Sequence, residues 1–201
     1  MPPRARKRGR PDAGFSARAQ ILVGAAAAFG ARGLADTSVE DVLRASGVSR
    51  RTFYRFFRNK EELFEELAEA AAMIFLQSMR TAAALGKTPQ EKLANCVEVW
   101  LRAPETAGPI FHVLAAEAAK PGSRMAAHRR RAIDALITMI DEGVRADRGE
   151  QVDPLILRGL IGAMETIAAE VHAAGRADNA TIDRAKAAML HIMTTALSAR
   201  G

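Results

Sequence analysis

The sequence predicts an all-α protein, with an N-terminal three-helix helix-turn-helix domain followed by a C-terminal helical domain for ligand binding and dimerisation. Three observations predict it. The hydrophobic fraction of 49% is rich in Ala, Leu and Met, with only 5% aromatic residues, a composition that favours helices over strands. Helix-opening signals recur along the chain, among them Thr37-Ser38-Val39-Glu40, Asn59-Lys60-Glu61-Glu62 and Thr88-Pro89-Gln90-Glu91. Residues 37–63, TSVEDVLRASGVSRRTFYRFFRNKEEL, read as two short helices joined by a tight turn and followed at once by a third.

The elements follow in order. Residues 1–13 form a basic arm, expected to be disordered, that reads equally as a solubilising tail or as an arm ordered by phosphates or a minor groove. A first helix is predicted over 16–30, capped by Ser16 and ended by Gly30 and Gly33. A second begins at a capping box of Thr37 and Glu40 and ends near Ser46-Gly47, where Gly47 supplies a positive φ. A third starts at Ser49 and reaches about 56, and a fourth runs from Asn59 to about 85. Thr88 and Pro89 open a fifth, which stops before Pro104, and a sixth spans 109–120. The last three cover about 123–147, 153–174 and 179–199.

The final two helices carry apolar or small residues on more than one face. On the first, Leu157, Leu160, Met164 and Val171 make one stripe and Gly159, Gly162, Ala163 and Thr166 another. On the second, Ile182, Ala185, Met189, Ile192 and Ala196 are matched by Leu190, Met193 and Leu197. A helix with two such faces buries one on its own core and the other on something else, and a second copy of the chain is the economical partner. A homodimer through these helices is therefore expected.

Charge divides the chain. Residues 1–60 carry 13 Lys/Arg against 4 Asp/Glu, whereas residues 61–201 carry 16 against 19. All the excess behind the net charge of +6 lies in the first third, the footprint of a nucleic-acid-binding module. A division into 1–13, 14–60 (helix-turn-helix) and 61–201 (ligand binding and dimerisation) follows. The single cysteine, Cys96, excludes an intrachain disulfide and a cysteine zinc site and fits a reducing, cytoplasmic setting. The apolar run at 21–29 imitates a signal peptide, but Arg18 and Arg32 bracket it and its large residues follow a helical face. No run approaches a membrane span.

Within 37–63, Val39, Val42, Leu43, Val48 and Phe53 supply a small core. Ser49, Arg50, Arg51, Thr52, Tyr54 and Arg55 are left for the outer face and first turn of the third helix, the part of a recognition helix that meets base edges. Arginine can grip the O6 and N7 of guanine in a fork, and hydroxyls more often hold phosphates. Lys60 stands in the first turn of a helix, where a cation is misplaced unless an anion lies beside it, and a DNA phosphate is such an anion.

Residues 15–64 resemble the DNA-binding domain of the TetR family of bacterial transcriptional regulators. The resemblance rests on Thr37, the turn Ser46-Gly47-Val48-Ser49, Thr52-Phe53-Tyr54, Phe57 and Lys60-Glu61-Glu62-Leu63. Phe56 stands where that family commonly has His, and Arg58 where a small residue or Pro is frequent. The resemblance implies phosphate contacts from Thr37, Thr52, Tyr54 and Lys60, and a groove-facing set of Ser49, Arg50, Arg51 and Arg55. It also implies a C-terminal pocket whose small-molecule occupant moves the fourth helix and releases DNA.

Candidates for that pocket are apolar residues on the later helices: Met73, Phe75, Leu76, Met79, Cys96, Val97, Trp100, Phe111, Leu114, Met139 and Met164. His112, Asn95, Thr138 and Glu165 are the polar groups able to orient a ligand. Methionines line adaptable pockets, though a methionine stripe is more often plain core. No enzyme signature is present: the four histidines lack metal-ligand spacing, and no phosphate loop or nucleophile elbow occurs. No metal or cofactor is expected. The reading is a ligand-responsive repressor of a palindromic double-stranded operator; a sequence-tolerant architectural DNA binder without an effector is the alternative.

Overall fold

A computed structural model of the chain describes residues 13–173 and 178–198, so most of the expected basic arm lies outside the described residues. Among the described residues there are helices and no strand: α1 (Ala13–Arg32), α2 (Val39–Ser46), α3 (Arg50–Phe56), α4 (Lys60–Leu85), α5 (Pro89–Ala107), α6 (Ile110–Ala119), α7 (Met125–Arg148), α8 (Pro154–Ala173) and α9 (Asn179–Ser198). None is long and apolar enough to cross a membrane.

Most boundaries fall where capping chemistry puts them. Ser49 caps α3 by accepting the Thr52 amide, Asn59 caps α4 by accepting the Glu62 amide, and Thr88 caps α5 by accepting the Glu91 amide. Gly47 closes α2 in the left-handed region at φ 71°.

Three expectations change. Helix α1 starts at Ala13, so Ser16 lies inside it rather than capping it. The box that opens α2 is shifted by one residue: Ser38 is the cap and Asp41 its reciprocal partner, not Thr37 and Glu40. Helix α5 also runs through Pro104 to Ala107. A proline costs a helix the hydrogen bond of its missing amide, here the one to the Trp100 carbonyl, and Pro104 recovers part of that by being buried.

Two hydrophobic cores result. The first joins Ile21, Ala25 and Phe29 of α1, Val42 and Leu43 of α2, Phe53, Phe57, and Leu63, Phe64 and Leu67 of α4. It also takes Ile110 from α6 and Met125 from α7, so the N-terminal core reaches past residue 60. Gly24 makes the α1–α2 crossing close, because a Cβ there would lie 2.6 Å from the Ser46 backbone. Gly30 does the same against α6, with the Ile110 amide nitrogen 3.1 Å from where its Cβ would be. The second core is built from α4, α5, α7, α8 and α9, with Leu157 and Met189 fully buried.

Both apolar stripes of α9 touch that second core: Met193 is buried in it, and Leu190 and Leu197 are partly buried against it. Helix α8 differs. Its Leu157, Ile161, Met164 and Val171 face inward, while Leu155, Gly159, Thr166 and Ala169 are exposed and a Cβ on Gly159 or Gly162 would meet open space.

Candidate nucleic-acid interface and C-terminal pockets

Helix α3 is held by one side and presented by the other. Phe53 is buried in the first core and packs edge-on to Tyr54, with ring centroids 5.2 Å apart, while Tyr54 itself is 48% exposed. Arg50, Arg51, Arg55 and Ser49 are exposed, and Thr52 is partly so. The Ser49 and Thr52 hydroxyls lie 2.9 Å apart across the first turn. Arg55 lies over the Phe56 ring at 4.7 Å, which answers what an aromatic does in a position expected to hydrogen-bond: it props a cation.

The arginines are not equivalent. Arg50 pairs with Glu40 of α2, a carboxylate released when Asp41 took over the capping box. Arg58 is held to Glu62 through both its amide (2.8 Å) and its guanidinium (3.1 Å). Those bonds hold the Glu62 carboxyl below its usual range. Arg51 takes no ion-pair partner among the described residues and stands in the first turn, facing out.

Two residues predicted to touch phosphates make hydrogen bonds within the chain. Thr37 is 1% exposed, and its hydroxyl donates to the Gly33 carbonyl at 2.6 Å, where it closes the end of α1. The Lys60 ammonium donates to the carbonyls of Leu34 (2.8 Å), Ala35 (3.0 Å) and Thr37 (2.7 Å). An ammonium has three protons, and all three are committed. The anion that a lysine in this position requires is supplied by three carbonyl dipoles of the α1–α2 connection, which the sequence pattern could not show because they lie over twenty residues upstream.

Carboxylates tie this region together. The Ser38 hydroxyl and amide hydrogen-bond Asp41 and hold its carboxyl below the ordinary 3.8, with Arg32 and Arg44 adding to the effect. Arg18 of α1 reaches Glu66 of α4 at 2.6 Å; burial raises the Glu66 carboxyl and Arg18 offsets part of that rise.

Two cavities open in the C-terminal part. The larger, about 540 Å³, lies among α4 to α8 and is walled by Phe75, Leu76, Trp100, Phe111, Leu136 and several alanines. Its polar groups are Glu165, paired with Arg129, and His172, whose Nε2 lies 3.0 Å from the Leu101 carbonyl oxygen. The smaller, about 180 Å³, lies among α4, α5, α7, α8 and α9 and is lined by Met79, Cys96, Val97, Trp100, Met139 and Met164, with others. Trp100 and Ile161 line both.

The predicted pocket residues therefore divide. Leu76, Trp100, Phe111 and Glu165 meet in the larger cavity, and Met79, Cys96, Trp100, Met139 and Met164 in the smaller. Phe75 joins the larger set and Val97 the smaller, whereas Met73, Asn95, His112, Leu114 and Thr138 line neither. Met73 is 71% exposed on α4, His112 is exposed beside Phe111, Leu114 packs against the first core, and Asn95 and Thr138 donate to the Ala82 and Asp134 carbonyls. Sequence reading missed Arg129 and His172, which lie on helical faces whose neighbours are charged or small and so carried no signal. The Cys96 thiol is half-buried; burial pushes it up, which makes it a poor nucleophile.

The chain's first third is similar to known proteins by sequence. The model of bacterial regulatory proteins, tetR family, matches residues 21–67. An uncharacterized HTH-type transcriptional regulator, YdgC of Bacillus subtilis (strain 168), is 35% identical over 54 residues, which span 27% of this chain and 28% of that protein. The chain thus aligns with little more than a quarter of that relative's length.

Solved structures match over nearly the whole length. The fatty acid degradation regulator FadR from Bacillus halodurans superposes with a TM-score of 0.72 at 17% identity, covering 92% of this chain and 97% of that one. A TetR-like transcriptional regulator from Rhodococcus sp. RHA1 gives 0.70 at 22%, covering 95% and 100%. A TetR transcriptional regulator from Chloroflexus aurantiacus J-10-FL gives 0.71 at 22%, covering 90% and 96%. At these identities the structural matches establish the fold, and the family likeness is carried by one segment: residues 21–67 match the bacterial regulatory proteins of the tetR family.

Proposed function

We propose that the chain is a homodimeric, effector-responsive repressor that binds a palindromic DNA operator and leaves it when a small molecule occupies the larger cavity. The observation that carries the reading is α3, anchored by buried Phe53 and displaying Ser49, Arg50, Arg51, Thr52, Tyr54 and Arg55 from a segment that holds all the chain's excess positive charge. In this reading Arg51 and Arg55 meet base edges, with Arg50 joining them once it exchanges Glu40 for DNA. Thr52 and Tyr54 hold phosphates. No catalytic role is assigned, and a cytoplasmic location goes with it.

The exposed small-residue face of α8 supports dimerisation: without a Cβ at Gly159 and Gly162, a partner helix can approach closely. Two α3 helices held by such a dimer would sit about one helical turn of DNA apart, or a simple multiple of it.

The larger cavity supports the effector. Its walls are apolar and its polar groups gather around Arg129, Glu165 and His172, so the occupant should have an apolar body and an acidic head able to compete with Glu165 for Arg129. A carboxylic acid with a hydrocarbon chain has that form, and the regulator FadR, of similar fold, is named for fatty acid degradation.

Two links join cavity and reader. Helix α4 places Phe64 and Leu67 in the first core and Phe75 and Leu76 in the cavity wall. On α6, Phe111 lines the cavity and its neighbour Ile110 is buried in the first core. An occupant that displaces either helix would be opposed by DNA to the same extent that DNA is opposed by it.

The test is selection of duplexes from a random pool, followed by challenge with straight-chain carboxylic acids. The reading expects an inverted repeat and release by some of the acids. Recovery of no shared sequence would favour the architectural binder and sink the repressor reading.

A further inference from the structure

Sulfur is unevenly distributed between the two cavities. The chain has eight methionines and one cysteine, and Met79, Met139, Met164, Met193 and Cys96 all line the smaller cavity. The larger cavity has no sulfur in its lining. We propose that the smaller cavity is a second binding site, separate from the effector cavity, for a compact neutral aromatic molecule of one ring.

Size, polarity and wall chemistry each point there. The pocket holds about 180 Å³, room for a single ring, and opens to solvent past the exposed Pro89, Gln90, Gly143, Asp147, Arg148 and Thr194. Its charged groups are already satisfied: Lys92 pairs with Asp147 at 2.6 Å, and Arg148 donates to the Leu197 carbonyl. The Cys96 thiol lies 3.6 Å from the Met79 carbonyl oxygen. No buried side-chain nitrogen or oxygen among the described residues lacks a hydrogen-bond partner, and the polar Gln90 and Thr194 stand at the exposed mouth, so the inner wall is apolar.

The choice of aromatic over aliphatic follows from the sulfurs. Thioethers make favourable contacts with ring edges at about 5 Å, and methionine's three rotatable bonds let the wall close on a flat ring. Trp100 adds an indole on the side shared with the larger cavity. The assignment stands whether or not the chain is a repressor.

The test uses the full chain with ¹³C-labelled methionine methyl groups, titrated with fluorobenzene and, in parallel, fluorocyclohexane. A ring in the smaller cavity shifts the Met79, Met139, Met164 and Met193 methyls in a saturable way. Exposed Met73 and Met125, buried in the other core, are internal controls and stay put. Fluorobenzene should bind about fivefold or more tightly than fluorocyclohexane, the difference a few sulfur–ring contacts supply. Absence of saturable shifts, or equal shifts at Met73 and Met125, overturns the site. A shifted Trp100 indole with unmoved methionines places the ring in the larger cavity and overturns it too. Equal affinity for the two probes overturns the aromatic preference.

Discussion

Replacing Lys60 with methionine keeps the stem's bulk and removes the ammonium that joins α4 to the α1–α2 connection. Three carbonyls lose their donor, at 2.7, 2.8 and 3.0 Å. A hydrogen bond to a charged group contributes about 1.5–3 kcal/mol, but three made by one ammonium share its solvation and are not additive. Water can also reach the Ala35 carbonyl, so the loss should be about 2–3 kcal/mol in total. For a protein of this size that lowers the melting temperature by about 4–12 °C. Lys60→Arg should recover only part, because a planar guanidinium cannot aim at three converging oxygens. Thermal melts of both variants, with DNA titrations at several salt concentrations, give the readout. A melting temperature within about 1 °C of the parent, with a salt slope lower by about one, would mean that Lys60 serves DNA phosphate and that the carbonyl clamp is not what holds it.

Three further substitutions probe the reader and its support. Arg51→Ala should cost about 1–3 kcal/mol on the operator and much less on random DNA, whereas Thr52→Ala should weaken both alike; identical behaviour in competition binding would undo the division into base and phosphate contacts. Gly24→Ala pushes a methyl to 2.6 Å from the Ser46 backbone, and overpacking of about 1–3 kcal/mol should exceed the roughly 0.5–1 kcal/mol a helix gains on losing a glycine, so a higher melting temperature would contradict the close crossing. Asp41→Asn tests the α2 cap through pH. The folded carboxyl lies below its ordinary 3.8, so it stabilises the protein above that value and loses the effect as pH falls through the folded one. The gap between parent and variant melting temperatures should be full at neutral pH and close below about pH 4, and a constant gap would exclude this origin.

The fold was legible because its punctuation is local. Ser49, Asn59 and Thr88 cap their helices where pattern reading put them, and Gly47 takes the turn. Errors arose where a local rule had two solutions or met a tertiary one. Thr37-x-x-Glu40 and Ser38-x-x-Asp41 both satisfy a capping box, and only the burial of Thr37 against the end of α1 decides between them. Pro104 ends a helix by rule, yet a buried ring kept α5 going for another turn. The outer face of α3 was readable because Phe53 leaves little choice about what points out. The carbonyl partners of Lys60 were not legible, since they come from a connection far upstream in the chain. The cavities were half legible: apolar walls follow helical periodicity, but Arg129 and His172 are brought to the site only by how α7 and α8 cross.

The most direct test of the account is fluorescence anisotropy of the purified chain on the DNA immediately upstream of its own reading frame, beside a shuffled duplex of equal composition. The account predicts saturable binding to the upstream duplex that is about 10³-fold or more tighter than to the shuffled one, and that weakens steeply with salt. Equal affinity for the two duplexes, or binding indifferent to salt, would contradict it.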